Sequence, residues 1–334
     1  MSGSLTIATA SAPVSVPRRP RRLPWPSLIA GAAWLALAGV TLVLPEEGDF
    51  PRTDLFGQGA AGLGGAILVL SPFLPRLGGL GARLRRASPW LAALALAFLA
   101  WELVTAKFGW APMPFFPPPQ AILEVFLDDG PKLGGSILAS LILLSGGYAF
   151  GAVIGFTLGV AIGSSRAVGY WAHPVLRFVG PLPATAWLPL AFFVFPSSWS
   201  ASTFLVALAT GFPVTVLTWS GVAGVNKAYF DVARTLGASR SFLILKVAIP
   251  GALPHVFVGL FMGLGGSFAV LVVAEMLGVK SGLGWYLQWA QGWAAYANMY
   301  AALIVMALMC SSLITLLFRL RDRVLSWQKG LVQW

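Results

Sequence analysis

Charge is what this 334-residue sequence has least of: only 10% of its residues are Asp, Glu, Lys or Arg. Soluble domains carry about 25%, so a water-soluble globule is excluded as the body of the molecule. Cysteine is nearly absent too. The single Cys310 lies inside an apolar stretch, which excludes an internal disulfide and gives no support to a metal site. The two histidines, His173 and His255, stand far apart, and neither has metal-ligating or nucleophilic companions nearby in the sequence; both read as structural. No Gly-x-x-x-x-Gly-Lys-Ser/Thr loop occurs, so the chain cannot cradle ATP phosphates by that route. No catalytic residue, cofactor site or metal site is assigned, and the chain is not expected to be an enzyme.

What is abundant is apolar sequence. Apolar residues make up 57% of the chain, and several runs approach or exceed the ~20 residues that a helix needs to cross a hydrocarbon core. Eight spans are predicted, at roughly 26–44, 57–74, 89–106, 134–163, 175–195, 201–223, 254–276 and 297–318. The second is the weakest, because Gly62, Gly64, Gly65 and Pro72 interrupt it. The net charge of +11 does not point to nucleic acid, because the basic residues sit in short clusters between apolar runs. With the N-terminus inside, every other connection is basic: Arg18 to Arg22, Arg76 to Arg86, Arg166 and Arg177, Lys227 to Lys246, and Arg319 to Lys329. Of the 22 Lys and Arg residues, only Arg52, Lys107, Lys132 and Lys280 fall outside. Glu46, Glu47, Asp49, Asp54, Glu124, Asp128 and Asp129 are all outer. This alternation is what the positive-inside rule demands, and it places both termini in the cytoplasm. Residues 1–24, rich in Ser, Pro and Ala, are expected to be a disordered cytoplasmic tail, and 321–334 a second tail.

Outside the spans, Pro112, Pro114, Pro117, Pro118 and Pro119 predict a stiff, extended outer stretch. Trp285, Tyr286, Trp289, Trp293 and Tyr296 suit a partly helical segment at the headgroup level. Charges within spans are costly and invite a functional reading. Glu102 and Lys107 are five apart, too far round a helix to pair well, and Lys107 is expected to snorkel to the outer interface. Glu275, near the outer end of the seventh span, and Arg177, before Pro181, are the candidates for a pathway or its mouth.

The largest inner loop, about 226–250, carries the most specific pattern. Asp231-Val232-Ala233 is followed by Arg234, Leu236 and Gly237, then by nine residues, then by Val247-x-Ile249-Pro250. Asp231 suits a helix N-terminus, and Phe230, Val232 and Leu236 give a short helix an apolar side. Gly237 permits a sharp turn into a second helix, and Pro250 marks entry to the next span. This loop resembles the Glu-Ala-Ala loop of ABC importer permeases. Glycine and proline match in identity and spacing, Asp231 stands for Glu, and Val232 departs at the first Ala. Pro181-Leu182-Pro183, Ala186 to Leu190, Val273 to Leu277 and Gly282-Leu283-Gly284 narrow the resemblance to the nitrate/sulfonate/bicarbonate/taurine permeases. Leu143 and Phe195-Pro196-Ser197 depart from that pattern.

The resemblance implies an all-α polytopic membrane protein: a six-span permease core over 89–320, with two extra N-terminal helices over 25–88. It implies that Asp231, Val232, Ala233, Arg234, Leu236, Gly237, Val247, Ile249 and Pro250 form a loop that couples to a separate ATPase, which would bind ATP and Mg. Implied partners are two ATPase subunits, a second permease copy as a homodimer, an extracytoplasmic solute-binding protein and membrane lipid, all at a bacterial inner membrane. The implied solute is small and anionic. An ion-coupled secondary transporter or a non-transporting membrane subunit is the alternative.

Overall fold

A computed structural model describes residues 25–328, so the tail expected over 1–24 and the last six residues lie outside the described part. Thirteen helices follow one another, and no strand occurs among the described residues: α1 Trp25–Val43, α2 Thr53–Leu70, α3 Gly78–Glu102, α4 Pro119–Asp128, α5 Gly130–Ser164, α6 Arg166–Val179, α7 Leu188–Val194, α8 Ser198–Ala223, α9 Lys227–Thr235, α10 Arg240–Phe242, α11 Ile249–Leu277, α12 Leu283–Gly292 and α13 Tyr296–Val324. Seven helical stretches among them are long and apolar enough to cross a membrane.

The chain divides into two compact units, the first holding α1, α2 and α3 and the second residues 46–52 with everything from Val104 onward. In the first unit α1 packs on both α2 and α3. Trp34, Leu37, Ala38, Ala60 and Ala95 form its core, and the Trp34 indole N–H donates to the Leu91 carbonyl at 3.1 Å. Small residues bring α1 and α2 together: a Cβ on Gly31 would meet the Leu68 side chain at 2.6 Å, and one on Gly64 the Gly31 carbonyl at 3.0 Å. Of the glycines that interrupt the second span, Gly64 lies in this contact, whereas a Cβ at Gly62 or Gly65 would meet nothing within 4 Å.

The second unit is built round α5 and α8. Gly147, Gly151, Gly155, Gly159 and Gly163 recur every fourth residue on α5, and each faces α8 without a side chain between the backbones. Their neighbours on α8 are, in order, Val206, Ala207, Gly211, Thr218 and Val222. The two helices therefore run parallel over the ~24 Å from Gly147 to Gly163 at ~1.5 Å per residue. α11 lies antiparallel to α8, with Gly259 against Val214 and Gly263 against Thr210, and it also touches α5.

This parallel pairing dictates what lies between. Because α5 and α8 point the same way, residues 165–197 must return the chain across the same thickness. The span expected at 175–195 does this, but not as one helix. It is α6 followed by a short 3₁₀ turn, Ala184–Trp187, and α7, with a bend of 87°. The break falls at Gly180-Pro181-Leu182-Pro183. Two prolines within three residues remove two backbone donors, and each disfavours helix in the residue before it. Among the described residues the stretches able to cross a membrane thus number seven, or eight if the bent pair is one span.

Other expectations are corrected by the packing. Lys107 does not snorkel: it lies in a π-helical turn, Leu103–Lys107, with a 2% exposed side chain whose Nζ pairs with Glu46 Oε1 at 3.1 Å. Glu47 N–H donates to the Ala106 carbonyl at 3.0 Å, and Arg52 pairs with Asp128 at 2.9 Å. The 46–52 connection is thereby sewn to Ala106, Lys107 and Asp128 of its own unit. Tyr286, read as part of an interfacial aromatic belt, is fully buried.

Candidate functional site

The 226–250 loop folds as a helix–turn–helix. Asn226 caps α9, its Oδ1 accepting the Ala228 N–H at 3.0 Å. Asp231 therefore stands in the second turn rather than at the helix start, and pairs with Arg234 at 3.2 Å on the exposed surface. The end of α9 is closed by two crossed bonds, Ala238 N–H to the Ala233 carbonyl (3.0 Å) and Gly237 N–H to the Arg234 carbonyl (2.9 Å). This Schellman pattern requires a left-handed residue, and Gly237 supplies it at φ +80°. Ser239 then caps α10, accepting the Phe242 N–H at 3.4 Å.

The apolar residues of α9 divide between two directions. Phe230 packs against Val222, Ala248 and Ala252 and seats the helix on the bundle. Tyr229, Val232 and Leu236 face away, and Leu236 is 82% exposed. Val232 and Leu236 therefore do not share a side with Phe230, as the sequence reading had it. Spaced i, i+3 and i+7, they make a stripe that covers nothing in this chain. Val247, Ile249 and Pro250 lie elsewhere, at the root of α11. Leu243–Ala248 is a π-helical stretch, which lets Pro250 enter the helix without the donor that it lacks. The helix consequently does not stop at Pro250. Arg240–Leu277 forms one 38-residue apolar rod.

At the far end of that rod lies Glu275, 1% exposed. The Ser140 hydroxyl is 2.7 and 2.9 Å from its two oxygens, and the Gly284 N–H donates to Oε2 at 2.8 Å. Ser140 also accepts the Leu283 N–H at 2.8 Å. The carboxylate and the hydroxyl thus take up two orphan donors at the start of α12. Gly282, at φ +102°, lies directly against the Glu275 carboxylate, so a Cβ there would collide with it. Glu275 is spent on this knot and faces no open path within its own chain. One helical turn further along α12, Tyr286 donates to Asp129 Oδ2 at 3.1 Å, and Asn298 Nδ2 donates to both, at 2.8 Å to Asp129 and 2.7 Å to the phenol. Burial, reinforced by the Asp129 carboxylate, pushes the Tyr286 phenol up to about 12, so it stays protonated and donating at any physiological pH. α12 is held at its start and at its middle.

Arg177 sits exposed in the last turn of α6, just before the break. The break itself borders a cavity of about 350 Å³ lined by Gly180, Pro183, Thr185, Phe212, Pro213 and Val270 among others, with no charged side chain in its wall. Arg177 and Glu275 are not brought together. The His173 ring packs on Trp219 with centroids 4.4 Å apart. Among the described residues no group of three potential ligands could hold a metal. Sequence reading missed Ser140, Asn226, Asp129 and Asn298 as partners. Asn226, directly before a short amphipathic segment, was readable as a helix cap, whereas the Asp129–Tyr286–Asn298 set needs three elements to meet.

Among the described residues the fold is all-helical, with seven stretches long and apolar enough to cross a membrane and an exposed helix–turn–helix at one end of the α11 rod, as a multi-pass membrane protein has. Residues 147–328 match the family described as binding-protein-dependent transport system inner membrane component. A nitrate import permease protein of Synechocystis sp. is 30% identical over 251 residues, covering 72% of this chain and 87% of that protein. A bicarbonate transport system permease protein of Synechococcus elongatus is 30% identical over 213 residues (62% and 73%). The taurine transport system permease protein of Escherichia coli K12 is 31% identical over 244 residues (71% and 88%). The chain belongs to this family of ABC importer permeases.

Proposed function

We propose that two copies of this chain form the translocation path of an ATP-driven importer in the bacterial inner membrane, with both termini cytoplasmic. The α9–Gly237–α10 element docks in a separate ATPase subunit, which binds ATP and Mg, and an extracytoplasmic binding protein delivers the solute from outside. The observation that carries this reading is the uncovered Tyr229–Val232–Leu236 stripe on a helix fixed at both ends. A capped short helix that turns its apolar residues outward is built for a partner's groove.

The mechanics follow from continuity. α10 and α11 are one rod of ~57 Å at ~1.5 Å per residue, with the docking element at its inner root and the Glu275 knot at its outer end. A displacement imposed on the inner loop by ATPase closure moves α11, and with it α8 and the clamped α12. Inner and outer ends then open in alternation. The broken α6–α7 crossing, whose Tyr170, Trp171, Phe178 and Phe193 are strongly exposed, lines the path against the second copy. The nitrate, bicarbonate and taurine named for the relatives support a small anionic solute. The test is Leu236→Glu in the complex reconstituted with its ATPase. Normal permease abundance with loss of ATPase co-purification, or of hydrolysis coupled to uptake, is expected. Wild-type coupling would sink the docking assignment.

A further inference from the structure

The flank of the second unit carries a groove that neither the 226–250 loop nor the broken crossing uses. It is about 260 Å³ and runs between α5, α11 and α13, lined by Leu141, Leu144, Leu264, Leu313, Leu316 and Leu320 with a few neighbours. Its one large polar neighbour is already satisfied, since the Tyr148 hydroxyl donates to the Leu260 carbonyl at 2.8 Å. The Ser145 hydroxyl donates to the Ile142 carbonyl at 3.1 Å, so the groove offers an occupant mainly apolar contact and no uncommitted side-chain donor.

Charge appears where the groove stripe leaves the apolar part of α13. Leu316, Leu320 and Arg323 follow one another at i, i+4 and i+7, so Arg323 continues the lining face. Arg319 stands one turn after Leu316, and both arginines are exposed. Arg321 is engaged differently: its guanidinium bonds Asp322 at 2.9 Å and lies 4.8 Å from the Phe318 ring. Among the described residues, neither Arg319 nor Arg323 has an ion pair or hydrogen bond of this kind. A dry channel ending at two uncommitted guanidinium groups matches a molecule that is apolar along its length and anionic at one end. Guanidinium is suited to bidentate contact with phosphate oxygens.

We infer that this groove holds an acyl chain of an anionic phospholipid whose phosphate lies at Arg319 and Arg323. With the orientation proposed above, on which this rests, the two arginines lie at the cytoplasmic leaflet, where anionic lipid gathers basic side chains. The second copy proposed along α6–α7 shares no lining residue with the groove, so both can be accommodated. Bound there, the lipid bridges α5 and the rod α11 to the last crossing α13.

The test needs no solute and no ATPase, so it can fail while the importer reading stands. The full chain is purified from an equal mixture of phosphatidylglycerol and phosphatidylcholine, and the lipid retained is counted by native mass spectrometry. A several-fold excess of phosphatidylglycerol is expected. The pair Arg319→Gln with Arg323→Gln should bring the ratio to near one, and Leu316→Trp should lower total retention with the arginines intact. Removing the same charge elsewhere, by Arg85→Gln with Arg86→Gln, should leave the ratio unchanged. Equal retention of the two lipids by the unaltered chain, or an equal fall in the control pair, would overturn the assignment. So would a disulfide between Leu316→Cys residues of two copies formed in high yield, which would make the groove a protein interface.

Discussion

Two glycines hold left-handed backbone at opposite ends of one helix, and their surroundings could hardly differ more. Around Gly237 a Cβ would meet nothing within 4 Å, whereas at Gly282 it would run into the Glu275 carboxylate. Both close a turn between helices with a conformation that other residues reach only at a cost. The turn at Gly237 is open, and the apolar Tyr229, Val232 and Leu236 beside it are exposed. The outer turn is filled by the chain's own carboxylate, hydroxyl and backbone donors. On the reading proposed above, one end of the rod is gripped by a partner, and the other grips its own chain.

Substitutions at the two ends should separate these roles. The largest effect is expected at Gly282→Ala, which adds the left-handed backbone cost to a collision with a buried carboxylate, together about 3 kcal/mol or more. Thermal unfolding of the purified chain should shift clearly downward and membrane abundance should fall. Glu275→Ala comes next. It strands the Gly284 N–H and the Ser140 hydroxyl in a dry setting, at about 2–4 kcal/mol for the two groups. The same melting measurement should show it, with loss of protection of the α12 amides in hydrogen exchange as the specific sign. If the amides of α12 stay protected, the knot does not hold that helix.

Gly237→Val should cost less, about 1–3 kcal/mol of backbone strain with nothing to collide with. Its signature is different in kind: near-normal abundance, but reduced uptake or uncoupled ATP hydrolysis in reconstituted vesicles. Asp231→Lys is expected to be the mildest for the fold, below about 1 kcal/mol, because the Asp231–Arg234 pair is exposed and water screens it. It reverses a charge on the docking helix, so ATPase co-purification should weaken and become salt-dependent. A stability loss at Asp231 as large as at Glu275 would erase the distinction between the two ends.

The inner end was legible in the sequence because its signals are local. Gly237, Pro250 and the apolar positions between them are set by spacing along one short stretch. Even there the reading misplaced Asp231 at the helix start, since a helix begins at its best cap, and Asn226 stood five residues earlier. The spans were legible as apolar runs, and the five glycines of α5 are visible as a repeat. That the repeat faces α8, in parallel, is a fact about two segments far apart in the chain. From it follows that the crossing between them must exist although it is broken. The Glu275 knot was least legible: Glu275 and Gly282 were each noticed singly and Ser140 was not, because only folding brings residues 135 positions apart into one hydrogen bond. Lys107 was misread for the same reason, because its partner Glu46 lies in a distant connection.

Site-specific photocrosslinking tests the central claim most directly. A photoreactive amino acid placed at Leu236, in cells that make the complete complex, should give an adduct of this chain with an ATPase subunit. The same probe at Phe230, which faces the bundle, should give little. Strong crosslinking from Leu236 and weak crosslinking from Phe230 is the predicted result. No ATPase adduct from Leu236 in an assembled, transporting complex would contradict it.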